Sequence, residues 1–468
     1  MTAIMNLKNI FQHNGALMAL TVAAAVFTAC EDQPDKYEVS DGTPTVDYIR
    51  CLSSEIEGNN DDEDTHYTNG ELVTEASPQS TLCLVGENLR SVYEIYFNDK
   101  QAILNTSYIT DNTLIVDVPK TVPSTVTDKI YLITRDKDTV TVDFHVIISA
   151  PTVTSMSNEY AAIGEDVTLT GSYFIDDPGT PLTVAFTTED GGKVYVDHDD
   201  ITFSSDYSTL TFPVPDGAAE GPLTITSIYG TTKTSLHYKD TRGLLFDFDG
   251  VTGLGNHGWH DRPITTDSTA VSGNYVQLGN GTATMTADGG WDDSDFSFEY
   301  WPGSWNTPTD YPEGVGVKLT SLADCSDWEN MSLQFEMCIP SEYPWQAGAM
   351  QIIFAGIDKV SYGNAGTDIN GDVVAGANNT YMQSNSLPRA LYRPWTTTGS
   401  YDTGGEWVTV TLPLKSSFIY GFDGSVSTGT LSSSDFTSLV IFIVGGGISG
   451  TECTPLIKID NIRLVPYK

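Results

Sequence analysis

The stretch Leu244-Leu-Phe-Asp-Phe-Asp-Gly250 sets apolar against acidic residues with a period of two and ends on an Asp-Gly pair. Successive side chains of a strand point to opposite faces, so this is the pattern of a half-buried β-strand running into a tight turn. A strand of the same type closes the chain, Leu456-Ile-Lys-Ile-Asp-Asn-Ile-Arg-Leu-Val465. Further strand candidates lie between them, at 331–339, 350–355, 407–414 and 439–444. Antiparallel strands that begin and end side by side describe a jelly-roll β-sandwich.

Upstream, the chain reads as two copies of one smaller unit. Pro44-Thr45-Val46 and Pro151-Thr152-Val153 open the copies. Leu82-Cys-Leu-Val-Gly86 then corresponds to Val167-Thr-Leu-Thr-Gly171, and Thr113-Leu-Ile-Val-Asp-Val-Pro119 to Thr209-Leu-Thr-Phe-Pro-Val-Pro215. Short β-branched runs punctuated by Gly, Asn, Asp and Pro predict an all-β chain of sandwiches. The second copy resembles the immunoglobulin-like IPT/TIG fold and the first is a more divergent version of it. Neither copy holds a tryptophan, clustered histidines or a convincing acid pair, so both are expected to be spacers.

With 62 Asp+Glu against 22 Lys+Arg, the formal net charge is −40. That balance argues against nucleic acid, whose phosphates call for a basic stripe. It suits a neutral ligand, a bound cation, or simply a soluble surface. The acidic run 57–64 lacks the ligand spacing of a calcium loop and reads as a solvated insertion. The six cysteines include no C-x-x-C pair and no Cys/His cluster with metal spacing. Cys51 with Cys83 is the one internal bridge the spacing admits; buried thiols are expected elsewhere.

The N-terminus carries Lys8 and the apolar run 16–27, too short to span a bilayer comfortably, followed by Phe-Thr-Ala-Cys30. This resembles a bacterial lipobox, which implies acylation of Cys30 and attachment to a membrane. The Glu31-Asp32-Gln-Pro-Asp35 run after it resembles the export signal of lipoproteins that reach the outer face of the outer membrane. The expected division is a signal peptide at 1–29, an acidic tether at 30–43, spacers at 44–149 and 150–240, and a binding sandwich at 241–468.

All eight tryptophans fall in that last segment. An indole has a flat apolar face and a single donor, which matches the C–H face and hydroxyl edge of a sugar ring. Trp301, Trp305, Trp345 and Trp395 sit beside Pro or Gly or in polar loops, and with Tyr343 and Tyr392 are expected to be presented as a binding platform. Trp291 stands at an Asp-rich turn and reads equally as core or surface. Trp328 and Trp407 flank or open strands and are expected in the core or at a strand edge. Gln346, Gln351, Asn306, Asn385 and Arg393 are polar residues suited to reading hydroxyls.

The paired opening and closing strands resemble galactose-binding-like carbohydrate-binding modules. In such modules a structural calcium often joins the two, which implies Asp247, Asp249 and Asp460 as its ligands here. The order of the Trp291–Trp305 stretch, the strand and loop from 333 to 354, Leu391-Tyr-Arg-Pro-Trp395 and Trp407–Leu414 is more specific. It resembles the C-terminal domain of B-type surface glycan-binding proteins from Bacteroidetes polysaccharide-utilisation systems, the group named for xyloglucan binding. The resemblance implies a non-catalytic lipoprotein that binds a β-glucan such as xyloglucan or mixed-linkage glucan, or a β-mannan. It further implies an outer-membrane transporter and a SusD-like protein as partners, and no required cofactor. Two alternatives remain at this stage. One is a glycoside hydrolase using two of Glu299, Glu313, Glu336, Glu342 and Asp358; the other is a protein-binding adhesin.

Overall fold

The computed structural model describes residues 40–53, 70–258, 262–290, 295–302, 316–357, 366–367, 373–374 and 381–467. Cys30, the acidic run 57–64, Trp259, Trp291, Trp305, Asn306, Glu313 and Asp358 lie outside them. Among the described residues the regular structure is β throughout apart from short helical turns. No helix there is long and apolar enough to cross a membrane. The chain forms two compact units, Met1–Ile148 and Ser149–Lys468.

The first unit is a sandwich of two four-stranded sheets. One joins Glu71–Leu72, Thr45–Ser53, Thr81–Glu87 and Thr113–Asp117; the other joins Lys100–Ala102, Val92–Phe97, Lys129–Thr134 and Thr139–Asp143. Strict alternation buries Leu82, Leu84, Leu114, Ile130 and Leu132 between them. The expected Cys51–Cys83 bridge is absent, and both thiols are free. Register explains it: Cys51 lies opposite Leu82 and Arg50 opposite Cys83. The two cysteines therefore point to opposite faces of the sheet.

The second unit begins with another sandwich, whose sheets are Thr152–Met156, Asp166–Ser172, Thr209–Pro213, Thr202–Phe203 and Lys193–Tyr195, Thr183–Thr187, Gly221–Ser227, Gly230–Tyr238. Its core centres on Phe186, which meets Phe212 and Tyr238 edge-on at 6.1 and 5.2 Å. The glycines aligned in the sequence repeat occupy the same place in the two sandwiches. Gly86 pairs with Val46 and Gly171 with Val153, each beside a bulge in the opening strand. A Cβ on either would stand 1.9 Å from a carbonyl oxygen, that of Thr45 or Thr152. Gly171→Ala is accordingly expected to cost about 1–3 kcal/mol through overpacking. Gly255→Ala, at a position with open space around the missing Cβ, should stay within about 0.5 kcal/mol of the parent. Urea denaturation of both variants measures the contrast.

The rest of the unit is a larger sandwich. Its wide sheet has six strands: Ile264–Thr265, Tyr275–Gly279, Leu456–Pro466, Met331–Cys338 and Trp407–Pro413 in order, with Leu244–Phe246 also paired to Leu456–Pro466. The opening and closing strands thus lie side by side, Leu244 opposite Arg463. The narrow sheet runs Ser297–Tyr300, Ser438–Ile443, Met350–Ala355, Ala390–Tyr392. Phe246, Phe298, Tyr300, Leu333, Phe335, Ile352, Ile441 and Ile459 fill the space between the sheets.

The outer face of the wide sheet is polar, as alternation predicts, yet much of it is buried. The segment 155–160 of the preceding sandwich lies on it. Thr409 N donates to Ser157 O at 2.9 Å, and Glu159 N donates to Thr409 Oγ1 at 2.8 Å. Glu159, Glu336 and Arg463 meet there, each 1% exposed or less.

Candidate functional site

The structure turns several of the expected platform aromatics inward. Trp345 is 0% exposed and donates its indole N–H to Ala347 O at 2.5 Å. Trp395 is 4% exposed and donates to Gly348 O at 2.7 Å. Tyr392 packs against the same core, 6.1 Å from Trp345 and 6.5 Å from Phe335. Their Pro- and Gly-flanked setting reads as a surface loop, but Ala347, Gly348 and Ala349 are small enough to bring backbone carbonyls to the indole donors. With its one polar atom satisfied, an indole is an apolar filler. Trp345 and Trp395 are core pillars, which corrects the expectation that they are presented to a ligand, and Tyr392 is half-buried against them. Trp407 is 8% exposed, as expected of a core or edge residue. Tyr343 is half-buried, its ring seated over Gly281, where a Cβ would come within 2.7 Å of it.

Trp301 is also buried, at 1%, but on the other side of the narrow sheet. There it joins Ile353, Met382, Val440, Phe442 and Val444, with Phe422 and Tyr381 packed against the group. Its Nε1 is a buried donor with no partner among the described residues. An unmet donor of this kind costs about 1–3 kcal/mol unless water or a ligand accepts from it.

Polar residues share that outer face. Register places Ser297 beside Phe442 and Phe442 beside Gln351, while Glu299 lies beside Val440 and Val440 beside Ile353. Arg262 donates through Nη2 to Ser297 Oγ at 2.7 Å. Arg389, 0% exposed, donates to Gln351 Oε1 at 2.8 Å and to Ser384 O at 3.0 Å, and its guanidinium lies 5.6 Å from the Phe422 ring centre. Burial lowers its pKa to about 10, so it is cationic at physiological pH. Gln351 Nε2 donates to Phe422 O and Val444 O, at 3.2 and 2.8 Å. Asn385 and Asp423 close the rim through a 2.8 Å hydrogen bond, and Arg393 donates to Gly446 O.

Of the residues read from the sequence, this face gathers Trp301 and Gln351, with Asn385 and Arg393 at its rim. Sequence reasoning missed Phe422, Phe442 and Arg389. Gly421-Phe-Asp-Gly424 was the available signal, an aromatic set in a turn.

The expected calcium ligands do not form a metal site. Asp247 accepts from Val251 N at 2.8 Å and Thr252 N at 3.2 Å. Asp249 accepts from Asn274 N at 2.6 Å, and Asp460 from Ser272 Oγ at 2.8 Å and Asn461 N at 2.7 Å. Hydrogen-bond donors hold the turns where a cation was expected. Burial pushes the Asp460 carboxyl up to about 9. Among the described residues no group of three or more His, Cys, Asp or Glu is placed to hold a metal.

The centre of this cluster is closed over, Trp301, Gln351 and Arg389 being 1% exposed or less. Partly exposed Phe422 and the planar polar groups at its rim nevertheless suit an uncharged polyhydroxyl ligand better than bond-breaking chemistry. Comparison with known proteins agrees. Residues 238–466 match the family model described as surface glycan-binding protein B xyloglucan binding domain. The crystal structure of surface glycan-binding protein PbSGBP-B from Prevotella bryantii is 47% identical, covers 92% of this chain and 100% of its own, and superposes with a TM-score of 0.79. The chain belongs to the surface glycan-binding protein B family. A curated IPT/TIG domain-containing protein of Bacteroides ovatus is 23% identical over 250 residues, 50% of this chain and 48% of the relative. The chain thus spans about half the length of that relative. Surface glycan-binding proteins are binders, not hydrolases. Glu336, one of the carboxylates considered for hydrolysis, is buried against Arg463, and Glu299 is 1% exposed.

Proposed function

We propose that this protein is a cell-surface lipoprotein that captures a neutral β-glycan on the outer face of the narrow sheet, around Trp301, Phe422 and Phe442. The observation that carries the site is the Trp301 indole donor, which has no partner among the described residues and lies amid aromatic rings and amide groups. The glycan is a β-glucan such as xyloglucan or mixed-linkage glucan, or a β-mannan; the xyloglucan-binding family model supports the first. Acylated Cys30 would hold the chain at the outer membrane, facing outward. A transporter and a SusD-like partner would receive the ligand. The immunoglobulin-like sandwiches supply reach from the membrane.

Affinity electrophoresis of the chain in gels of xyloglucan, mixed-linkage β-glucan, galactomannan and starch tests this reading, with reducing-sugar release assayed in parallel. Retardation by a β-glycan and not by starch is expected, with no sugar released. Phe422→Ala should weaken binding about fivefold, since a stacked ring contributes about 1 kcal/mol. Trp301→Phe, which keeps a ring and removes the donor, should weaken binding of the folded protein, with thermal unfolding measured alongside to separate the cost of shrinking a buried ring. Absence of retardation in every gel would overturn the reading in favour of an adhesin, and sugar release would overturn it in favour of a hydrolase.

A further inference from the structure

The seam between the second immunoglobulin-like sandwich and the C-terminal one carries more acid than it can neutralise. Arg463 donates through Nη1 and Nη2 to both oxygens of Glu336, at 2.8 and 3.0 Å, and through Nη2 to Glu159 Oε2 at 2.8 Å. One guanidinium therefore serves two carboxyl groups, all three sealed from solvent. Gln334 Nε2 donates to the remaining oxygen of Glu159 at 3.1 Å, and Thr409 Oγ1 donates to Glu336 Oε1 at 3.1 Å. The surrounding charges do not restore balance. Asp460 lies in register with Glu336 on the neighbouring strand. From the other sandwich come Tyr160, whose ring lies 5.0 Å from the Arg463 guanidinium, and Asp240, which is paired with Arg242 at 2.7 Å. Arg463 Nε and Gln334 Oε1 are buried without partners among the described residues.

We propose that this seam is a proton-operated latch: the Glu159–Glu336 pair around Arg463 binds one proton as the medium acidifies, and the two sandwiches then hold each other more tightly. The geometry accommodates the proton. Thr409 Oγ1 can turn from donor to acceptor toward Glu336 Oε1, because a hydroxyl serves in either role. Two carboxyls this close titrate as a unit, and the proton belongs to the pair.

Burial pushes Glu159 up from 4.5 to about 7 against the opposing pull of Arg463, with Glu336 adding to the rise. Burial raises Glu336 as well. A carboxyl whose pKa is higher in the docked chain stabilises docking most fully below its free value. That contribution is lost as pH rises through its docked value. The window therefore runs from about 4.5 to about 7, with the firm state on the acid side.

The test compares the full chain with Glu159→Gln and Glu336→Gln across pH 5.5 to 8.5, by thermal unfolding followed through tryptophan fluorescence. The parent midpoint should fall, relative to either variant, by on the order of 5 °C from pH 5.5 to 8.5. Taking the difference removes the general effect of the acidic surface. Hydrogen exchange in the parent, corrected for intrinsic rate, should show about tenfold less protection of peptides 155–160 and 408–411 at pH 8.5 than at pH 5.5. A glutamine variant that lowers the midpoint equally at both pH values would mean a merely structural ion pair. Unchanged seam protection would overturn the latch even if neither variant folds.

Discussion

Arg463→Ala is expected to destabilise the Ser149–Lys468 unit by about 3–5 kcal/mol at pH 8, the range seen when one partner of a buried ion pair is removed. The cause is less the lost attraction than what stays behind. Glu159 and Glu336 would remain at 1% exposure or less, with the guanidinium that answered both of them gone. All the tryptophans belong to this unit, so their fluorescence in urea reports its unfolding. The deficit should narrow at pH 5.5, where the abandoned carboxyls can protonate. A loss below about 1 kcal/mol at pH 8 would show that water reaches the seam and screens it as it does an exposed pair.

Trp345→Ala is the second large effect, with an expected cost of about 3–5 kcal/mol for truncating a buried aromatic. The side chain is fully enclosed by the inter-sheet core, and its donor is already satisfied by Ala347 O. The same substitution therefore separates a pillar from a platform. The folded fraction should keep its glycan affinity within about twofold while the urea midpoint drops sharply. Phe422→Ala should do the reverse, weakening binding with a smaller loss of stability than Trp345→Ala, because its ring is only half-buried. A large loss of affinity at unchanged stability for Trp345→Ala would return that residue to the ligand surface.

Much of the fold was legible because strand periodicity and turn chemistry are local. The opening 244–250 run and its closing partner do pair, and 350–355 is a strand end to end. The repeat read from Gly86 and Gly171 is a repeat of close backbone approach, which a glycine announces in sequence. Short strands such as Ala390–Tyr392 were missed because three residues carry no period. The site was less legible for a different reason. Whether an aromatic beside Pro or Gly faces water depends on what the tertiary fold lays over it, and no local pattern encodes that. Trp345 and Trp395 were lost to the core this way, while Phe422 was overlooked inside an ordinary turn. The Glu159–Arg463 pair spans 304 positions of sequence, so nothing along the chain could announce it.

The pairing of the Leu244–Phe246 strand with the last strand has a mechanical consequence. Under the proposed anchoring at Cys30 and glycan capture by the final domain, the chain would be under tension, and the load would enter that domain through Leu244. Its partner in register, Arg463, is the residue that clasps the preceding sandwich. Pulling force therefore divides between the strand pairing and the buried cluster, and the covalent junction near 240 does not carry it alone. Resistance to such pulling is a matter of unfolding rate, not of equilibrium stability. A single-molecule pulling trace would register the clasp as a rupture that precedes the opening of the C-terminal sandwich.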